Sequence, residues 1–126
     1  MGGSRAWWLL TLPRVVQIRQ IMVYNRGASN GRINGAIVWV GIGLRGGKYE
    51  NAIKVGTINY NPETSLYDYP GLDVAGSSVA VQGGYSGPLT LSEVEVFAWP
   101  GGRFRRIVEF SDFMTSSRPS LNVTTT

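Results

Sequence analysis

The chain contains no cysteine and no histidine in 126 residues, only two lysines, and no acidic side chain ahead of Glu50. Without cysteine there is no disulfide framework, no thiolate nucleophile and no cysteine-ligated zinc, while either redox compartment stays open. Without histidine there are no Ser-His or Cys-His nucleophilic pairs, and the commonest transition-metal ligand is missing. Carboxylates, hydroxyls and the two lysines are all that remain for a catalytic scheme, so an enzyme is not expected. No apolar run approaches the about 18 uninterrupted residues that span a bilayer, so no membrane span is expected either. The opening Met1-Gly2-Gly3-Ser4 is too short and too polar for a signal peptide, and residues 1–5 read as an added or disordered start.

What is present points to strands. Fourteen aromatic residues, seventeen glycines and many Val, Ile and Thr, with no long apolar stripe of helical period, predict an all-β chain. The length suits one domain with a core of its own. The net charge of +4 hides a segregation: residues 1–49 carry seven basic side chains and no acid, and 50–95 carry six acids and one lysine. Ten of the twelve basic residues are arginine, whose planar fork suits carboxylates, phosphates and paired sugar hydroxyls. The plain reading of Arg5, Arg14, Arg19 and Arg45 is solvated strand faces, where single-sign runs in sequence become mixed in space.

Residues 7–12 read as a short strand that Pro13 breaks. A second strand, 15–24, follows, and its apolar phase slips by one near Arg19 and Gln20, which predicts a bulge. After the loop 26–32, the run 36–42 is nearly continuously apolar, as in a strand covered on both faces. Arg45-Gly46-Gly47-Lys48 reads as a turn, 52–60 alternates loosely, and 66–69 and 79–82 read as short strands between Gly and Pro. In 89–97 the pair Leu89 and Leu91 is out of phase with Val94 and Val96, which places a second bulge at Ser92 and Glu93. Beyond it, 103–110 reads as one more strand that can cover an open sheet edge with Phe104 and Phe110. Residues 114–126 read as a disordered Ser/Thr-rich tail with one sequon, Asn122-Val123-Thr124.

Four local motifs occur in order: Trp7-Trp8 through Leu12; Asn25-Arg26-Gly27-Ala28; Arg32-Ile33-Asn34-Gly35-Ala36-Ile37-Val38; and Leu89-Thr90-Leu91-Ser92-Glu93-Val94-Glu95-Val96. Together they resemble the F-type lectin family, the fucose-binding branch of the discoidin-like (F5/8 type C) jelly rolls, over residues 6–97. The resemblance implies a discoidin-like jelly-roll β-sandwich, incomplete relative to the family, followed by a C-terminal extension over 98–126. It also implies a secreted protein and a fucosylated glycan as partner. Arg26 and Arg32 would donate hydrogen bonds to the sugar, with Tyr24, Tyr49 or Tyr85 packing on its apolar face. Ser92 and Glu93 fall where the family holds calcium, through a backbone carbonyl and a carboxylate. Three departures touch the binding region. The family's segment ahead of the Trp pair, which supplies a sugar-binding His and most calcium ligands, has five residues here. The Asp that orients an arginine is Ala28, in a loop shorter by one. The family's cysteines fall at Ser29, Asn30 and Ser92. Calcium is therefore expected only if the missing segment is supplied, and no other cofactor is expected.

Two further readings stand beside the sugar module. The chain can be a structural module that packs against another chain, or a further copy of itself, which completes its sheet. Its basic first half can also be an anion surface, although no RNP, KH or helix-turn-helix pattern supports nucleic acid. Catalysis ranks last. Asp68, Asp73, Glu93 and Glu95 fit no motif for glycoside hydrolysis, and Gly41-Ile42-Gly43-Leu44-Arg45-Gly46 follows a strand but opens into a turn, not a helix.

Overall fold

The computed structural model describes residues 5–27, 30–45, 48–85, 88–99, 102–107 and 124–125. Over these the chain is all-β, with eight strands and one short 3-10 turn. The strands are β1 (Trp7–Tyr24), β2 (Ile37–Gly41), β3 (Ile53–Thr57), β4 (Leu66–Tyr69), β5 (Val74–Gln82), β6 (Glu93–Trp99), β7 (Gly102–Ile107) and β8 (Thr124–Thr125). They form one sheet in the order β3-β2-β5-β1-β6-β7-β8, with β4 pairing β1 off that path, and every pairing is antiparallel.

The organising element is β1, eighteen residues long. Its first part pairs β5 from Trp7 against Gln82 to Ile18 against Val74, and its last part pairs β4 and β6 on either side. Two wings thus share one strand. The expected break at Pro13 does not occur, because β1 runs through it. Pro13 is exposed and lies where pairing with β5 is interrupted between Thr11 and Val16, so its missing N–H costs no ladder bond. The phase slip near Arg19 corresponds to a register shift between Ile18 and Gln20 against β6. Alternation then decides the core: Trp8, Leu10, Leu12, Val16, Ile18, Ile21 and Val23 of β1 point inward and join Val38, Val40, Val79, Val81, Val94, Val96 and Phe104 in a single cluster.

Several expected boundaries shift. β2 ends at Gly41 and leaves Ile42 65 % exposed, so the strand is not covered along its whole apolar run. β5 starts five residues earlier than the 79–82 reading, its first residues held by β1. β6 begins only at Glu93. Leu89 and Leu91 are fully buried from an irregular segment, so their phase conflict with Val94 needs no bulge within a strand. Where 103–110 was expected to form a strand, β7 spans Gly102–Ile107 beside β6, and residues 108–110 lie outside those described. At the chain's end Thr124–Thr125 pairs with β7, whereas 1–4 and the rest of the expected tail, 114–123 and 126, with part of its sequon, lie outside the described residues.

Candidate functional site

The loop between β1 and β2 is shaped by one apolar anchor. Ile33, last in the 3-10 turn Asn30–Ile33, is fully buried, which fixes its neighbour Arg32 at the rim. Asn34 and Gly35 follow as a turn. The Gly35 N–H donates to the Ile58 carbonyl at 2.8 Å, and the Ile58 N–H donates to the Ala36 carbonyl at 2.7 Å. The Asn34 side chain accepts the Tyr60 N–H at 2.9 Å. Gly35 has φ +79°, a left-handed conformation that disfavours any side chain. Against this turn lies the loop that leaves β5, tied by the Gly83 N–H to the Ala6 carbonyl at 2.7 Å.

Between the two loops is a cleft of about 570 Å³ lined by Gly31, Arg32, Asn34, Gly35, Gly84 and Tyr85. Tyr85 is 45 % exposed and Arg32 half-buried. Of the five residues named as candidates for a sugar site, the structure thus brings Arg32 and Tyr85 to one cleft. Tyr24 and Arg26 are not among its lining residues. Tyr24 is the last residue of β1, and its hydroxyl donates to Glu95 Oε1 at 2.7 Å. That bond, then burial and the charge of Glu95, push its pKa from 10.0 up to about 12. Arg26 is half-buried just past the strand, and its backbone N–H donates to the Asn25 side chain at 2.8 Å. Tyr49 stacks on Trp39, with ring centroids 5.3 Å apart and planes 6° from parallel, so one of its faces is already covered. Ala28 and Ser29, in the same loop, lie outside the described residues.

The expected calcium remnant is tied into the fold. The Ser92 hydroxyl shares its one proton between the Tyr24 and Asn25 carbonyls, both at 3.2 Å, and the Ser92 N–H donates to the Tyr24 carbonyl at 2.9 Å. Glu93 opens β6 opposite Tyr24. Among the described residues no three His, Cys, Asp or Glu side chains converge as a metal site would require. Glu95 is 7 % exposed. Tyr24 and Arg103 enclose it, the latter with Nη1 at 3.5 Å from Oε2.

Asn34, Gly35 and Gly84 were not marked as site residues by the sequence reading, although Gly35 stands inside the motif that starts at Arg32. Gly84 carries no local signal, since its role is visible only once β5 delivers it against Gly35. Comparison with known protein families, with curated proteins and with solved structures returned no match.

Proposed function

We propose that the chain is a non-catalytic carbohydrate-binding module, a reduced F-type-lectin-like site on a jelly-roll-like sandwich, which takes a fucose-like sugar in the cleft between Arg32 and Tyr85. The observation that carries this reading is that these two side chains, far apart in sequence, line one concave site. A guanidinium offers paired N–H donors to vicinal hydroxyls, and a phenol ring offers a flat apolar face. The cleft volume of about 570 Å³ falls within the range of about 300–1,000 Å³ common for small-ligand sites. Arg26 is assigned a supporting contact from the exit of β1, and Tyr24 the positioning of that exit through Glu95. Such a module works outside the cell and needs no calcium at this cleft. The test is calorimetric titration of L-fucose and a fucosylated oligosaccharide, with and without calcium. Binding by the wild type that is lost in Arg32→Ala and Tyr85→Ala is the expected result. No heat with the wild type, together with an unchanged melt in excess fucose, sinks the reading.

A second reading, an assembly module, is favoured by one edge of the sheet. β3 stands at the end of the strand order, with Ile53 52 % exposed on it and Ile42 65 % exposed beside the neighbouring strand. Under this reading sedimentation shows concentration-dependent association that Ile53→Lys abolishes. A monomer at all concentrations removes self-association from the reading.

A further inference from the structure

The far end of the molecule holds a second concave site, where the interruption in β1 meets the end of β6 and the start of β7. A cleft of about 220 Å³ is lined by Arg14, Val15 and Gln17 of β1, Ala75 of β5, Trp99 of β6 and Phe104 of β7, among others. Trp99 is 64 % exposed and Val15 52 %. Phe104 is fully buried and forms the floor. Trp99 faces outward because β6 alternates inward on Val94, Val96 and Ala98, and it pairs with Gln17 across the ladder.

The chemistry of the lining is specific. The Gln17 Nε2 donates to Asp73 Oδ1 at 2.7 Å, which fixes the amide and leaves its oxygen as an acceptor. Arg14 has no ion-pair or hydrogen-bond partner among the described residues and is the one ionised side chain lining the cleft. An exposed indole, an oriented amide and an unpaired guanidinium around a volume below the usual drug-sized range match one sugar ring with an anionic substituent. The ring would stack its C–H face on Trp99, a hydroxyl would donate to Gln17, and the guanidinium would take a carboxylate or sulfate as a fork.

We propose that this cleft is a second glycan-binding site, selective for a pyranose that carries a carboxylate or sulfate. It does not depend on the fucose reading. Ala75 stands at the start of β5 and Gly84 just past its end, so the two clefts are about 30 Å apart along the strand. One chain therefore holds two glycan sites of different selectivity, and can bridge two glycans without a partner subunit. An amide held in one orientation beside a single guanidinium favours a sugar, whose hydroxyls need a placed acceptor, over a membrane surface, which needs none.

The test uses the ¹⁵N-labelled full chain, with the Trp99 indole signal assigned as the one absent from Trp99→Phe, titrated with D-glucuronate, D-glucose 6-sulfate and D-glucose. Saturable shifts of that signal with both anionic sugars, at least about tenfold weaker with glucose, are expected. Arg14→Ala, an exposed position, should bring the anionic sugars to the level of glucose, and Arg32→Ala should leave the Trp99 response unchanged. If only one of the two anionic sugars binds, the site stands and its anionic group is identified. Equal shifts with glucose, shifts insensitive to Arg14→Ala, or no shift in the wild type overturns the proposal. So does a Trp99 response confined to vesicles containing phosphatidylserine. Fucose binding lost in Arg32→Ala with the Trp99 response intact separates the two sites, and failure at one leaves the other standing.

Discussion

Replacing Gly84 by alanine tests the apposition on which the first cleft depends. A Cβ there would sit 2.6 Å from the Gly35 carbonyl carbon and 2.7 Å from its Cα, and would collide with the Asn34 carbonyl oxygen. All three are backbone atoms, so no side-chain rotation relieves the overlap. Restoring ordinary contact, 3.4 Å or more, to all three atoms requires the two loops to separate by about 1 Å. Overpacking of this kind costs about 1–3 kcal/mol. For a domain of this size that is a fall in Tm of roughly 4–12 °C. The same separation carries Tyr85 away from Arg32, so affinity for fucose should fall with stability. Gly27→Ala is the control: a Cβ there has nothing within 4 Å, and its φ is outside the left-handed region, so the melt should be unchanged or slightly raised. Thermal unfolding by circular dichroism of both variants decides the matter. A Gly84→Ala protein that melts with the wild type would refute the close packing of the loops, and with it the shape of the cleft.

Three other perturbations follow from the packing. Phe104→Ala empties a fully buried position on β7 and should destabilise by about 3–5 kcal/mol in urea unfolding, whereas a loss under about 1 kcal/mol would mean that β7 is not part of the cooperative unit. Trp8→Phe should cost no more than about 1 kcal/mol, because its indole N–H is buried without a hydrogen-bond partner among the described residues and its removal offsets the lost contacts; a loss as large as that of Leu10→Ala would show that the N–H is satisfied. Tyr24 holds its proton up to about 12 in the fold against 10.0 when unfolded, so its contribution to stability is complete below pH 10 and is lost as the pH rises towards 12. Tyr24→Phe should therefore flatten the alkaline fall in Tm, with a remainder from Tyr69, whose pKa burial also raises; an identical alkaline profile in both proteins argues against the bond to Glu95.

Much of the architecture was legible because it is written in local patterns. The period-2 alternation of β1, its slip near Arg19 and the turn at Arg45 to Lys48, closed by an N–H to carbonyl bond of 3.0 Å, are consequences of adjacent residues. Where the reading went astray, distant residues decide. Pro13 is compatible with a continuous strand only because β5 offers it no acceptor to miss, and Leu89 and Leu91 are buried by the core without belonging to a strand. The site divides the same way. Arg32 and Gly35 stand in one motif and could be picked out together. Gly84 and the cleft at Trp99 depend on strands that meet only in the fold.

The charge pattern shows how the two scales join. The acid-free first half of the chain supplies β1, and the acidic middle supplies the strands on either side of its second part, so opposite sequence blocks become neighbours across the ladder. Yet β1 meets those acids mostly through neutral side chains: Gln20 donates to Asp68 at 2.8 Å, Gln17 to Asp73 and Tyr24 to Glu95. The cation that reaches Glu95 comes instead from β7, as Arg103. Arg14 is exposed and takes no part in these pairings, and it stands at the rim of the second cleft, where its fork can select an oxygen-rich ligand, as Arg32 stands at the rim of the first. If the acids of the middle segment had been matched by β1 arginines, the guanidinium of Arg14 would be spent on the fold. Exchanging Gln17 for arginine imposes that arrangement on the second cleft: the new side chain should pair with Asp73, repel Arg14 and occupy the sugar's space, so that stability holds or rises while the Trp99 response to D-glucuronate disappears. Retention of that response in Gln17→Arg would show that the ligand does not enter between Gln17 and Trp99.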